Sequence, residues 1–414
     1  MSGGRHSVLD DADERARLDP GGMLEAVQAL PEQCREAWTA AQAFELPWKE
    51  PPQRIMLLGM GGSAIAGDYF RALLSLESAV PVFNVRQYDL PPFVDEGTLV
   101  IASSFSGDTE ETLSAFDQAL ATPARKLAIT TGGRLLATAR ANGVPAFTFA
   151  YRGEPRAAIG WGLMPLLAVA RKLGLMQGVE RDVEEAVAAL SALRDECAAD
   201  TPSSQNPAKQ LALRLHERLP VIYAAGPLVE VGRRWKTQLN ESAKVWAFYE
   251  ELPEAQHNAI VGLGLPRVVA RAATVVLLEG PHPHPFHHGG QVSRARERGE
   301  SGRLGPVLQT PLPARPELRS AAKGRLEGWS GATTSRLATA ARIRLRFELT
   351  RRLMTEAGVE TLDVTARGES ALAQMLSLTL LGDYCAAYLA LLYGVDPTPT
   401  TVIDELKAWL GEQG

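Results

Sequence analysis

Apolar residues change their spacing along this chain, and the changes mark its parts. Residues 1–20 mix charged and small residues without an apolar period and read as a flexible tail. From Met23 to Phe44 the apolar positions (Met23, Val27, Leu30, Trp38) fall at helical spacing, and the pattern stops before Pro47 and the Pro51-Pro52 pair. Short apolar runs follow at 55–58, 80–84, 98–102, 126–130 and 146–149, with helical stretches near 64–76, 109–121 and 134–142. A short unbroken apolar run suits a strand buried on both faces, and its alternation with helices predicts a doubly wound, mainly parallel sheet. Pro155 opens a long apolar helix to about Leu173, and 180–199 reads as another.

Residues 201–206, TPSSQN, are polar and turn-rich and read as a linker. The pattern then restarts: a strand at Leu219–Ala225 ending in Gly226, a helix over Val229–Leu239, and a further strand within Val268–Leu278. The expected organisation is therefore two similar α/β units, 21–200 and 207–414. Residues 281–340 interrupt the second. They carry His282, His284, His287 and His288 among prolines and glycines, then an excess of arginine, and show no helical or strand period. The expectation is a loop without catalytic duty, and the histidines lack the rigid scaffold a metal site needs. A helix to about Thr355, a strand at 359–364, an apolar helix over 372–395 and a terminal helix containing Lys407 complete the chain. The 372–395 run carries Gln374 and Asp383 and reads as a core helix rather than a membrane span.

Two strand-to-helix turns bring in chemistry. After Ile55–Leu58 come Gly59, Gly61 and Gly62, then Ser63 at the start of a helix. Gly61 and Gly62 let backbone amides approach a ligand, at the end of a helix that favours an anion. The next unit repeats the arrangement, with Ser103, Ser104, Ser106 and Thr109 between the strand at 98–102 and the following helix. Either turn alone is as well explained by a helix cap at Ser106 or Asp108. Two in consecutive units point to one pocket for a phosphate ester. Neither is a dinucleotide fingerprint or a Walker A loop, since 59–64 reads GMGGSA and no Gly-Lys-Ser/Thr follows.

Composition narrows the class. The chain has 414 residues, 45% of them hydrophobic and 22% charged, and a net charge of −5, so it advertises no nucleic-acid partner. Cys34, Cys197 and Cys385 are far apart and odd in number, which implies a reducing compartment and excludes a disulfide framework. The N-terminus has no apolar core, so no signal peptide is expected. Together these predict a cytoplasmic protein.

Six separated motifs carry a resemblance: LLGMGGSAIAGD, SSFSGDTEET, GEPRAAIG (153–160), LNESAK (239–244), PEAQHNAIVG (253–262) and YGVDPTPTTVIDELK (393–407). They are similar to those of the bifunctional phosphoglucose/phosphomannose isomerases, whose fold is two SIS (sugar isomerase) domains. The insertion at 281–340 departs from that family. The resemblance implies that Ser63, Ser104, Ser106 and Thr109 hold the substrate phosphate. It implies that Arg156 steadies an enediolate, that Glu241 moves a proton between C1 and C2, that His257 opens the sugar ring and that Lys407 lines the pocket. The implied substrate is a hexose 6-phosphate, and the implied assembly a homodimer without metal or other cofactor. Aldose–ketose isomerisation independently wants a carboxylate base, a cation for the oxyanion and an imidazole in its titrating range. Each residue taken singly would be an ordinary surface or loop group. A hexosamine-phosphate synthase lacks support because its N-terminal Cys-nucleophile domain is missing. A non-catalytic sugar-phosphate sensor or regulator is the rival from another class, and its expected helix-turn-helix does not fit residues 1–45.

Overall fold

Leu57 and Ile101 face one side of the first sheet, Met56 and Val100 the other, and all four are buried. This double burial is why the strands read as unbroken apolar runs. The protein is described from a computed structural model, which covers residues 8–280 and 332–413. The N-terminal helices are α1 (Ala12–Leu18), α2 (Met23–Gln28) and α3 (Leu30–Ala43). Then come β1 (Arg54–Leu58), α4 (Gly61–Leu74), β2 (Val82–Val85), β3 (Thr98–Ser103) and α5 (Glu110–Leu120). The first half continues with β4 (Arg125–Thr130), α6 (Gly133–Ala141), β5 (Ala146–Thr148), α7 (Ile159–Lys172) and α8 (Val179–Cys197). Its five strands are parallel, in the order β2-β1-β3-β4-β5. Helices α4 and α7 cover one face, α5 and α6 the other.

The second half contains α9 (Pro207–Leu215), β6 (Leu219–Ala225), α10 (Leu228–Glu241), β7 (Phe248–Leu252), α11 (Arg267–Ala272) and β8 (Ala273–Glu279). It ends with α12 (Ala332–Glu356), β9 (Glu360–Thr365), α13 (Ala371–Leu392) and α14 (Thr401–Gln413). Its four strands are also parallel, in the order β7-β6-β8-β9. Helix α12 covers one face; α10 and α13 lie on the other, in a core continuous with that of the first half.

Helix α13 is the centre of that shared layer. It is long and apolar enough to cross a membrane, but 89% of its apolar window is buried inside the protein, as a core helix should be. At Gly382 a β-carbon would stand 2.3 Å from Trp235 Nε1, so glycine lets α10 approach. Trp235 Nε1 donates to Leu378 O at 2.8 Å, and Tyr69 on α4 shares a 2.6 Å hydrogen bond with Thr379. Helices α4 and α10 run antiparallel across the junction. Arg71, late in α4, pairs with the buried Glu230, early in α10, while the start of α4 lies beside the end of α10, as the site geometry below shows.

The structure corrects several expectations. The expected flexible tail is helical from Val8 and packed: Leu9 and Leu18 are buried, and Arg15 donates to Leu9 O and Asp200. Asp10 accepts from Ser203 and from the buried Lys209. Two leucines and an ion-pair network are too few apolar positions to show a period, which is why the pattern missed it. TPSSQN is a packed turn rather than an open linker, with Asn206 fully buried and capping α9 through the amides of Ala208 and Lys209. Of the 281–340 insertion, 281–331, with the four histidines, lie outside the described residues, and 332–340 belong to α12. Strand β7 was not expected because Glu250 and Glu251 break its apolar run. The apolar stretch at Val268–Leu278 divides into α11 and β8, with Val268 left 74% exposed.

Candidate active site

Both hydroxyl-bearing turns lie at the carboxyl ends of neighbouring strands, where ligands sit in open α/β sheets. After β1 the chain turns through Gly59–Gly62 into α4, with Gly61 at φ 51°. A β-carbon on Gly62 would stand 2.9 Å from Pro155 O, so this glycine brings the 153–158 segment against the start of α4. Ser63 is half-buried in the first turn of α4, where amides without intrahelical partners and the helix dipole favour an anion.

The second turn is folded on its own hydroxyls. Ser104 is buried, accepts from Gly107 N at 3.1 Å and shares a 2.9 Å hydrogen bond with Thr109 Oγ1. Ser106 is exposed and accepts from Asp108 N at 3.2 Å. Thr109 occupies the N-cap position of α5 but makes no side-chain cap bond, and Asp108 instead accepts from Arg134 N at the start of α6. Asp108 therefore caps α6 rather than the helix that follows it, and Ser106 caps neither. Gly107 has φ 77°, and a β-carbon there would collide with Gly132 O.

Arg156 closes the site from the side of the second half. It is only 5% exposed and makes four hydrogen bonds. Nε donates to Ser242 Oγ (3.3 Å), Nη1 to Glu154 (2.9 Å), and Nη2 to Pro397 O (2.8 Å) and Thr398 O (2.5 Å). Of the five N–H groups of a guanidinium, one on Nη1 makes none of these four bonds. Behind it, the fully buried Arg234 donates to Arg156 O at 2.7 Å and forks onto Asp383 at 2.7 and 3.2 Å. Gln238 also donates to Asp383, at 2.9 Å. This network fixes the Arg156 backbone from α10 and α13.

Ser242 directly follows Glu241, the half-buried last residue of α10, so Glu241 stands at the same pole as Arg156 and the two turns. His257 does not. It follows β7, whose Leu252 pairs with Ala225 at the opposite end of α10. Fourteen residues of α-helix, roughly 20 Å at about 1.5 Å each, separate Glu241 from that end. Gln256 is bonded to Arg346 O and Thr350 on α12, which holds the exposed His257 at the far pole. Lys407 is exposed on α14, which begins just after the 397–399 segment that touches Arg156. Within one chain, then, Ser63, Ser104, Ser106, Thr109, Gly61, Gly62, Arg156 and Glu241 lie at one pole and His257 stands apart.

Comparison with known proteins gives the family of the chain. Residues 50–139 match the SIS domain profile, and 204–295 with 334–410 match the bacterial phospho-glucose isomerase C-terminal SIS domain. The bifunctional phosphoglucose/phosphomannose isomerase of Caldicellulosiruptor bescii is 35% identical over 94% of this chain and 99% of its own. The chain belongs to the bifunctional phosphoglucose/phosphomannose isomerase family. The Aquifex aeolicus protein of that name is 28% identical over 86% of this chain and 90% of its own. Among solved structures, a hypothetical protein from Thermus thermophilus shares the fold with TM-score 0.69 at 19% identity, covering 99% of this chain and 95% of that one. A glucose-6-phosphate isomerase-like protein from the same organism gives TM-score 0.54 at 20% identity, covering 96% and 98%.

Reading the sequence missed Glu154, Ser242, Lys244 and the carbonyls of 397–399. The first three lie inside motifs already noticed, GEPRAAIG and LNESAK. Nothing local in the sequence says that a carbonyl will face an arginine from the other half of the fold.

Proposed function

We propose that this member of the isomerase family interconverts glucose 6-phosphate, and mannose 6-phosphate, with fructose 6-phosphate. The observation that carries the reading is the meeting, at one pole, of two hydroxyl-lined turns with Arg156 and the end of α10 that bears Glu241. Ser63, Ser104, Ser106 and Thr109, with the amides around Gly61 and Gly62, would hold the phosphate by neutral donors and the α4 dipole. Glu241 would take the proton from C2 of the open-chain aldose and return it to C1. The remaining Nη1–H of Arg156 would face the enediolate oxygen. Lys407, on the helix leading away from Arg156, would reach the pocket rim. The three cysteines are free and buried, in keeping with a reducing cytoplasm.

The distance of His257 from Glu241 supports a homodimer in which His257 enters the site of the partner copy. Large apolar side chains are exposed near it, Val261 at 83% and Leu265 at 75%, and on α14, with Trp409 at 57%. A second copy would cover them. The test is a coupled assay with each hexose 6-phosphate on wild type, Glu241→Gln, His257→Ala, and the two variants mixed after unfolding and refolding together. If each site draws Glu241 and His257 from different copies, the mixture regains about a quarter of the wild-type sites, since half the dimers are mixed and each restores one site. Activity no higher than the variants alone rules out the shared site, and a wild type inactive on both sugars rules out the isomerase.

A further inference from the structure

Lys244 has a backbone that lysine rarely adopts. Its φ is 57°, and Glu217 is the only other non-glycine residue with positive φ among the described residues. It lies three residues past the end of α10, where a left-handed turn closes a helix and glycine is the favoured residue. The chain keeps a long cationic side chain there. Its Nζ donates to Glu241 O at 2.5 Å and to Pro399 O at 2.6 Å, which brings the ammonium to the pole where Arg156 holds Pro397 and Thr398.

Arg156 and Lys244 differ in what they have left to offer. Arg156 is buried, is paired with Glu154 and has one free N–H. Lys244 is exposed to solutes, its two partners are neutral carbonyls, and an ammonium has a third N–H. Burial of the amine, then the Arg156 charge, push its pKa below the ordinary lysine range, while Asp396, Glu241 and Glu154 pull the other way. Its charge is thus coupled to both of the groups placed at the reacting end of the pocket.

We propose that Lys244 is a further substrate-contacting cation of this site, its ammonium facing the sugar oxygen that becomes negative as Glu241 removes the adjacent proton. In that step the C–H pair becomes the C1–C2 double bond of the enediolate and the carbonyl π pair moves onto oxygen. The carbon-bound proton goes to the Glu241 carboxylate and returns to the other carbon, while the hydroxyl proton on the neighbouring sugar oxygen passes to the oxygen that has become negative, so the isomerisation balances without a further reactant. The inference rests on the isomerase reading above. The competing account is structural: a lysine tying two carbonyls at a helix end.

Substitution by glycine separates the two, because glycine relieves the backbone at this position. Lys244→Gly in the full-length protein is expected to keep or raise Tm while kcat falls roughly 10²-fold and KM changes little, the pattern of a lost oxyanion contact. Lys244→Arg, which keeps the charge, is expected to recover most of that loss. A Lys244→Gly enzyme with wild-type kcat, or one that loses kcat and Tm together, overturns the proposal. Lys244→Asn, which also tolerates the left-handed backbone, gives the same reading if the glycine variant does not fold. Glu241→Gln is measured alongside: full activity there defeats the isomerase mechanism itself, whereas a dead Glu241→Gln with an active Lys244→Gly defeats only the role of Lys244.

Discussion

The two halves of this protein each hold a parallel sheet and meet in one central layer, yet they present opposite ends to the candidate site. The first half uses the carboxyl ends of β1 and β3, where Ser63, Ser104, Ser106 and Thr109 sit. The corresponding turn of the second half, after β6, is Ala225-Gly226-Pro227 and has no hydroxyl. What the second half brings is the far end of α10, with Glu241, Ser242 and Lys244. The cause is the antiparallel docking of α4 on α10: when their starts point in opposite directions, the carboxyl ends of the two sheets must as well. Duplicating a fold therefore need not duplicate a site. In the proposed site one half would supply the donors expected of a ligand-binding sheet end, and the other would supply charge from the opposite end of its helix.

The comparison makes predictions of decreasing size. If Glu241 is the base proposed above, Glu241→Gln keeps its shape and deletes its basicity, so kcat should fall ~10²–10⁴-fold, on the order of 3–5 kcal/mol of barrier, with KM nearly unchanged. Steady-state kinetics with fructose 6-phosphate checks it, and a wild-type rate would return the base to the first half or to a partner copy. Asp383→Asn leaves the buried Arg234 charged without its counter-ion and loosens the strut between α10 and Arg156. Unfolding in urea should show a loss of about 3–5 kcal/mol. A loss below about 1 kcal/mol would mean that the Arg234–Asp383 pair contributes little to holding α10 and Arg156 in place. The smallest effect belongs to the first half. Ser106→Ala would delete one neutral donor of the proposed phosphate site, worth about 1 kcal/mol, so KM should rise roughly fivefold with little change in kcat. An unchanged KM would move the ester away from the β3 turn.

Much of the fold was legible. The strands at 55–58, 98–102 and 219–225 were visible because burial on both faces leaves no polar position in a run, and α13 because its apolar residues extend all round. The hydroxyl turns were visible for the same reason, since polar residues stand out after such strands. What could not be read lay where charge does the work of apolar packing. Arg15 and Lys209 bury themselves on Asp200 and Asp10 and hold the N-terminal helix down, and β7 is an edge strand whose glutamates hide its period.

The sequence alone determined most of the strands and helices, the N-terminal helix, β7 and α11 excepted, because the period of burial is written locally. It also determined the chemical types available: hydroxyls after β1 and β3, a carboxylate at Glu241, an imidazole at His257. Tertiary structure decided which of these meet. That Glu241 shares a pole with Ser63 while His257 lies the length of α10 away depends on how α4 and α10 dock. Their docking depends on long-range pairs such as Arg71 with Glu230 and Tyr69 with Thr379, separated by 159 and 310 residues. No local period can encode a contact at such a separation, so the direction in which the second half faces the site had to be found in three dimensions.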